Sequence, residues 1–304
     1  MSGKPTAPFW RDEMPDVAEP WLGQATPSSE PSELCSDLYT SPSHHTFCTA
    51  FNPQGDELFL AASHPETDES HIVSTRIEGG RWLLPERAPF DSEWIDNDIC
   101  MSPDGSRLVW RSWRPLPGET EPQERSILWM VDRTSSGWTE ARPVLCGGEP
   151  PFGGYPGVAA DGTLYFAGRL TPGVGGVFRA RREGEMYGAT EAIIGGMNAG
   201  GDLTIAPDQS FLVIACWRRP DNNGESDLYV SFRRGDDSWT ALRNLGSPIN
   251  NELNENCPMV SSDGKRFFFL RYAPDIEKAR TYCISPAVIL AHREAALRSE
   301  QEEQ

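Results

Sequence analysis

The chain has 304 residues, 38% hydrophobic and 10% aromatic with 28 Gly and 26 Pro, enough apolar material for one large core or two small ones, which excludes a disordered chain. Against 27 Lys and Arg stand 45 Asp and Glu, and the net charge of −18 repels phosphate backbones and anionic lipid, so neither nucleic acid nor a membrane is expected as a partner. No apolar run reaches membrane-span length, Met1 to Asp16 lacks a signal-peptide core, and seven Cys without a C-x-x-C pair read as free thiols, so a cytoplasmic protein is expected.

In chain order, a Pro-rich lead-in (residues 1–21) is followed by "SELCSDLYTS" (Ser32 to Ser41), which reads as a strand. Five segments then share one plan: "CTAFNPQGDELFLAAS" from Cys48, "DICMSPDGSRLVWRSW" from Asp98, "YPGVAADGTLYFAGR" from Tyr155, "DLTIAPDQSFLVIACW" from Asp202 and "CPMVSSDGKRFFFLRY" from Cys257. Each is a short strand, a Pro-Asp-Gly-like turn and a second apolar strand. Pro53, Pro103 and Pro207 preset φ at the turn, where Ala160 and Ser262 stand in the other two repeats. A third strand follows, then a turn before an aromatic, placing Trp82, Trp138, Tyr187 and Trp239 at equivalent outer positions suited to packing between repeats.

A spacing of roughly 50 residues matches one four-stranded propeller blade per repeat. The expected fold is all-β: a five-bladed β-propeller of four-stranded antiparallel blades over residues 22–290, with a polar tail at 291–304. The fifth repeat lacks a fourth strand, so the N-terminal strand is expected to supply it and close the ring. First strands carry Phe51, Met101, Val158, Ile205 and Val260 on one face. The small Ala50, Cys100, Gly157 and Thr204 lie on the other, where neighbouring blades converge, and Met259 breaks that rule.

The "SPDG" turn, together with "SDLYVSFR" (Ser226 to Arg233) and "NENCPMVSSDGKRFFF" (Asn254 to Phe269), resembles the TolB-type, WD-like β-propeller repeat family. The resemblance implies the propeller fold. It leaves activity open, because such propellers occur as scaffolds, as peptidase domains and as polysaccharide lyases.

Residues before each turn motif and after each second strand share one propeller face, since hairpin strands run antiparallel. That face is expected to gather candidate catalytic residues His45, Asp96, Asp98, Tyr155, Asp202 and Glu255. Candidate ligand-binding residues are His44, Trp94, Trp113, Arg169, Trp217, Arg271 and Tyr272. Crowded carboxylates raise one another's pKa, which can keep one as an acid beside an ionised base. Asp98 and Asp202, at the same repeat position, equally suit stitching blades through backbone N–H groups. Cys48 and Cys257 are also equivalent and read as small buried hydrophobes beside the axis. His44 and His45 are adjacent on an extended strand, so one of them, His45 by preference, faces the channel.

No cofactor and no metal are expected. The alternative is a divalent ion held by His45 with Asp96, Asp98, Asp202 or Glu255. The expected partner is a small molecule, sugar-like or a polar and aromatic metabolite, and no feature of the sequence sets an oligomeric state. The alternatives are a cofactor-independent acid/base enzyme (glycosidase-like hydrolase, lyase or cyclase/isomerase) and a protein-interaction scaffold.

Overall fold

Each of the five repeats forms one antiparallel sheet, and the first strand of each contacts the first strands of the two neighbouring repeats, so the sheets stand around a central axis as the blades of a β-propeller. A computed structural model describes residues 17–34, 45–64, 67, 69–171, 174–197, 200–273 and 279–298. Blade one comprises His45–Phe51, Glu57–Ser63 and Ser70–Glu78, with the short Arg81–Trp82 and Glu86–Arg87 at its outer edge. Blade two comprises Asp96–Met101, Arg107–Ser112 and Ile127–Thr134, with Gly137–Trp138 and Arg142–Pro143 outside. Blade three is built from Gly153–Val158, Leu164–Thr171, Val174–Ala180 and Glu191–Met197, and blade four from Gly200–Ile205, Phe211–Trp217, Ser226–Phe232 and Arg243–Asn244.

Blade five carries Asn254–Val260, Phe267–Tyr272 and Arg280–Ile284, and its fourth strand is the N-terminal Ser32–Glu33, in register with Cys283 and Tyr282. The next residue, Leu34, is fully buried and donates its N–H to the Thr281 carbonyl. Both ends of the chain thus meet in one sheet, which pairs the edge that blade five would otherwise expose. The remainder of the segment read as a strand, residues 35–41, lies outside the described residues.

Apolar side chains fill the wedges between blades. Trp82 packs between blades five and one, Trp138 between one and two, Tyr187 between two and three, and Trp239 between three and four. These are the four equivalent outer aromatics of the repeat, each filling the wider, outer part of a wedge. The larger first-strand residues are buried too, Phe51, Met101, Val158 and Ile205 in these clusters and Val260 in the cluster between blades four and five. The small face behaves as expected at a converging axis: a Cβ on Gly157 would lie 3.2 Å from Ile205 of the next blade.

Both flanks of the propeller are packed where described. Trp21, at the boundary of the Pro-rich lead-in, is 7% exposed, stacks on Phe268 at 6.1 Å and meets Phe51 at 5.0 Å. Its indole lies over the first turn so tightly that a Cβ on Gly55 would come within 2.4 Å, and Gly55 also has φ +72°. At the other end, short helices Ala287–Leu290 and Arg293–Arg298 seat Ile289 and Ala296 in the cluster between blades four and five. No helix among the described residues is long and apolar enough to cross a membrane.

Candidate functional site

Every inner strand carries a β-bulge at the same place. Pairing with the second strand slips between Phe47 and Ala50, Asn97 and Cys100, Gly154 and Gly157, Gly200 and Leu203, and Asn256 and Met259. In each slip two inner-strand residues face one on the partner, which breaks the two-residue alternation of side chains. Cys48, Asp98, Tyr155 and Cys257 occupy these bulges with φ between 47° and 53°, a conformation uncommon for side chains other than Gly. Asp202 is the equivalent residue of blade four. The five bulge residues, one from each blade, line a single axial hollow of about 370 Å³, counted to its open mouth.

The charges in this hollow are tightly arranged. Burial pushes the Asp98 carboxyl up, the Arg111 guanidinium pulls it down and Asp202 pushes it up again, leaving it at about 7. Arg111 Nε stands 2.8 Å from Asp98 Oδ2, while its guanidinium lies 4.6 Å from the Tyr155 ring centre and 4.8 Å from that of Trp113. Asp98 also accepts a backbone hydrogen bond from Tyr155, and Asp202 Oδ2 accepts one from the Cys257 N–H at 2.7 Å. The two aspartates therefore do both things expected of them: they line the hollow and they join neighbouring blades. Burial raises the Tyr155 hydroxyl, so it remains a proton donor at neutral pH.

The two sulfurs of the ring touch, with Cys48 Sγ 3.2 Å from Cys257 Sγ and 3.6 Å from Asp98 Oδ1. Contact with Cys257 raises the Cys48 thiol, and burial raises it further. Contact with Cys48 lowers the Cys257 thiol, but burial and the Asp202 charge outweigh it and carry the group up to about 12.

Other residues expected at the site lie elsewhere. Asp96 is fully buried within blade two, 2.5 Å from Arg114 Nη2, and accepts hydrogen bonds from the Ser92 N–H and hydroxyl and from Trp110 Nε1. Glu255 is its counterpart in blade five, fully buried and 2.8 Å from Arg271 Nε; burial raises its carboxyl and Arg271 lowers it, leaving it at about 7. Both lie on the regularly paired part of their strand, two residues before the bulge residue, and neither lines the hollow. Arg271 binds Glu255 and the Pro248 and Ile249 carbonyls.

His45 opens the inner strand of blade one opposite Ser63, half-buried and outside the hollow's lining. His44 lies outside the described residues. Trp94 is half-buried in the loop before blade two, and Arg169 is exposed. Trp217 lies beside Gly201. The Tyr272 hydroxyl accepts a hydrogen bond from Asn256 at 3.0 Å, and burial and the nearby Asp202 raise its pKa. The His45-centred set of oxygen and nitrogen ligands is not what the fold gathers. Among the described residues, the grouping with metal-ligating atoms within 4.8 Å of one another is Cys48, Asp202 and Cys257.

Arg111 is the residue that the sequence reading missed. Its signal is the register: Arg111 pairs with Asn97, the last residue before the blade-two bulge, which brings its head to the adjacent Asp98.

No family model and no curated protein matches the chain. Among solved structures, a protein of unknown function from Dyadobacter fermentans aligns at 11% identity over 85% of this chain and 98% of its own, with a TM-score of 0.49. An oligogalacturonate lyase in complex with manganese aligns at 12% identity over 82% of this chain and 68% of its own, with a TM-score of 0.44. A prolyl endopeptidase aligns at 14% identity and a TM-score of 0.40; 82% of this chain matches, spanning 35% of the endopeptidase. These alignments assign the chain to no family within the β-propeller fold that its own blades establish.

Proposed function

We propose that the axial hollow binds a small polyhydroxylated or amine-bearing molecule, a sugar or amino sugar in chemical class. The observation that supports this most directly is the convergence of Asp98, Tyr155 and Asp202, from three different blades, on one hollow that opens to solvent. Arg111 is already matched by Asp98, so Asp202 leaves the hollow with excess negative charge and unfilled acceptor capacity, which favours hydrogen-bond donors and cations. Trp113 and Tyr155 hold Arg111 between their rings, and that fixes the Asp98 carboxylate in place without using the ligand to do so.

The test is calorimetry and thermal shift of the full chain, stripped of metal, against matched hexoses, hexosamines and hexuronates. Hexosamines should bind best and hexuronates worst. Tyr155→Phe and Asp98→Asn should each weaken binding at least about tenfold while the chain stays folded. Uronates binding best, or binding untouched by both substitutions, would sink the proposal.

One observation favours a second reading as an acid/base enzyme. A carboxyl at about 7 shares the hollow with a second carboxylate, Asp202, and a paired acid and base is what glycoside hydrolysis or elimination needs. Turnover of a bound sugar with a pH limb near 7 that vanishes in Asp98→Asn would support it. Binding without turnover would exclude it.

A further inference from the structure

The two thiols of the axial ring are unexplained by sugar or amine recognition. Cys48 and Cys257 belong to the first and last blades, 209 residues apart in the chain, and their sulfurs meet at 3.2 Å. Carboxylates flank them on both sides, with Asp98 Oδ1 at 3.6 Å from Cys48 Sγ and an Asp202 oxygen within 4.8 Å of both sulfurs. We propose that Cys48, Cys257 and Asp202, with Asp98 as a fourth donor, bind one thiophilic divalent cation of the zinc class. The site lies in the hollow discussed above, but it does not depend on an organic ligand entering there.

The donor types and their spacing support a cation. A tetrahedral zinc centre with bonds of about 2.3 Å to sulfur holds its sulfurs about 3.7 Å apart, so the thiols need to part by only about half an ångström. A disulfide needs the opposite movement, closing to about 2.05 Å, and leaves the flanking carboxylates without a part. Two thiolates and two carboxylates carry four negative charges, of which a divalent ion offsets two and the Arg111 guanidinium beside Asp98 a third. Thiolate ligands also select zinc over magnesium or calcium, which favour all-oxygen sites.

Binding exchanges protons for metal: each thiol loses its proton to solvent as its sulfur bonds the ion, and Asp98 gives up any proton it holds as it becomes the fourth donor, so two protons, and a third where Asp98 is protonated, leave for one cation. Asp98 and Asp202 are the charged groups beside both thiols. Occupancy should therefore rise with pH. A bound ion would also join blade one to blade five across the seam where the ring closes.

The experiment uses the full chain, freed of metal by chelation under reducing conditions and titrated with Co²⁺ and Zn²⁺. Expected are one ion bound per chain, a cobalt-thiolate charge-transfer absorbance that Zn²⁺ removes, and a higher melting temperature with zinc. Cys48→Ser and Cys257→Ser should each weaken binding at least about 100-fold. Asp202→Asn should weaken it less and keep the charge-transfer band, and Cys146→Ser, in the wedge between blades two and three, should change nothing. Circular dichroism of the metal-free variants reports whether each is folded, and the double variant Cys48→Ala/Cys257→Ala serves where a single Ser is not tolerated.

Absent charge transfer, stoichiometric uptake that survives both Cys substitutions, or no uptake by the folded wild-type chain would each overturn the proposal. Formation of a Cys48–Cys257 disulfide that zinc does not slow would do the same. Metal uptake is read without sugar and sugar binding on the metal-free chain, so either reading can fail alone.

Discussion

Arg111 and Asp98 face each other at 2.8 Å across the first two strands of blade two, and the pair is 18% and 4% exposed at its side chains. Removing one member of so enclosed a pair leaves a charge without a partner. Arg111→Leu should cost about 3 kcal/mol at neutral pH by urea denaturation, and should carry the Asp98 pKa above 7. Carboxyl infrared absorption of Asp98 followed against pH reads the second effect, and an unmoved pKa would contradict it.

Asp98 and Glu255 both titrate at about 7 in the folded protein, against ordinary values of 3.8 and 4.5. Between about pH 4 and 7 the unfolded chain has released these protons and the folded chain still holds them. The folded state binds more protons, so their contribution to stability falls as pH rises through that window and levels off above 7. Asp98→Asn and Glu255→Gln should each flatten the slope of unfolding free energy against pH by up to about 1.4 kcal/mol per pH unit. A slope unchanged in both variants would show that neither group is raised.

Asp96 and Asp202 offer a contrast between holding blade two together and lining the hollow. Asp96→Ala leaves the buried Arg114 guanidinium without its carboxylate and should cost about 3 to 5 kcal/mol. Asp202→Asn keeps an oxygen to accept the Cys257 N–H and should cost no more than about 1 kcal/mol. Chemical denaturation of the two variants side by side checks the order.

Gly55 and Gly264 stand at equivalent turns with φ of +72° and +67°. A methyl group on Gly264 meets nothing within 4 Å, so Gly264→Ala should cost about 1 kcal/mol, the backbone term alone. On Gly55 it strikes the Trp21 indole, so Gly55→Ala should cost at least about 2 kcal/mol more. Equal melting temperatures for the two would mean that Trp21 gives way freely.

The repeat, the blade count and the closing strand were legible because each follows from local chemistry: turn residues that reverse the chain, aromatics at one outer position, and a last repeat one strand short. The site was legible only in part. Strict alternation puts Asp96 and Asp98 on the same face, and Glu255 with Cys257, but the bulge begins at Asp98 and at Cys257, whose positive φ breaks that alternation. Asp96 and Glu255 therefore turn into blade interiors, while Asp98 and Cys257 turn to the axis. No turn residue marks the bulge, which forms at Cys, Asp, Tyr and Cys despite positive φ, so a reading by side-chain period passes over it. Trp21 escaped for a different reason: Pro-rich surroundings suggest solvent, yet its ring caps the blade-one turn.

Ser32 pairs with Cys283, 251 residues further along the chain. During synthesis at about 5 to 20 residues per second, the nascent N-terminal segment therefore waits roughly 10 to 50 seconds before its partner leaves the ribosome. Blades one to four can assemble in that interval, but the wheel stays open until Arg280–Ile284 has been made. A ribosome stalled before Arg280 would hold a chain with an unsealed seam, the form most exposed to proteases and to pairing with a neighbouring nascent chain.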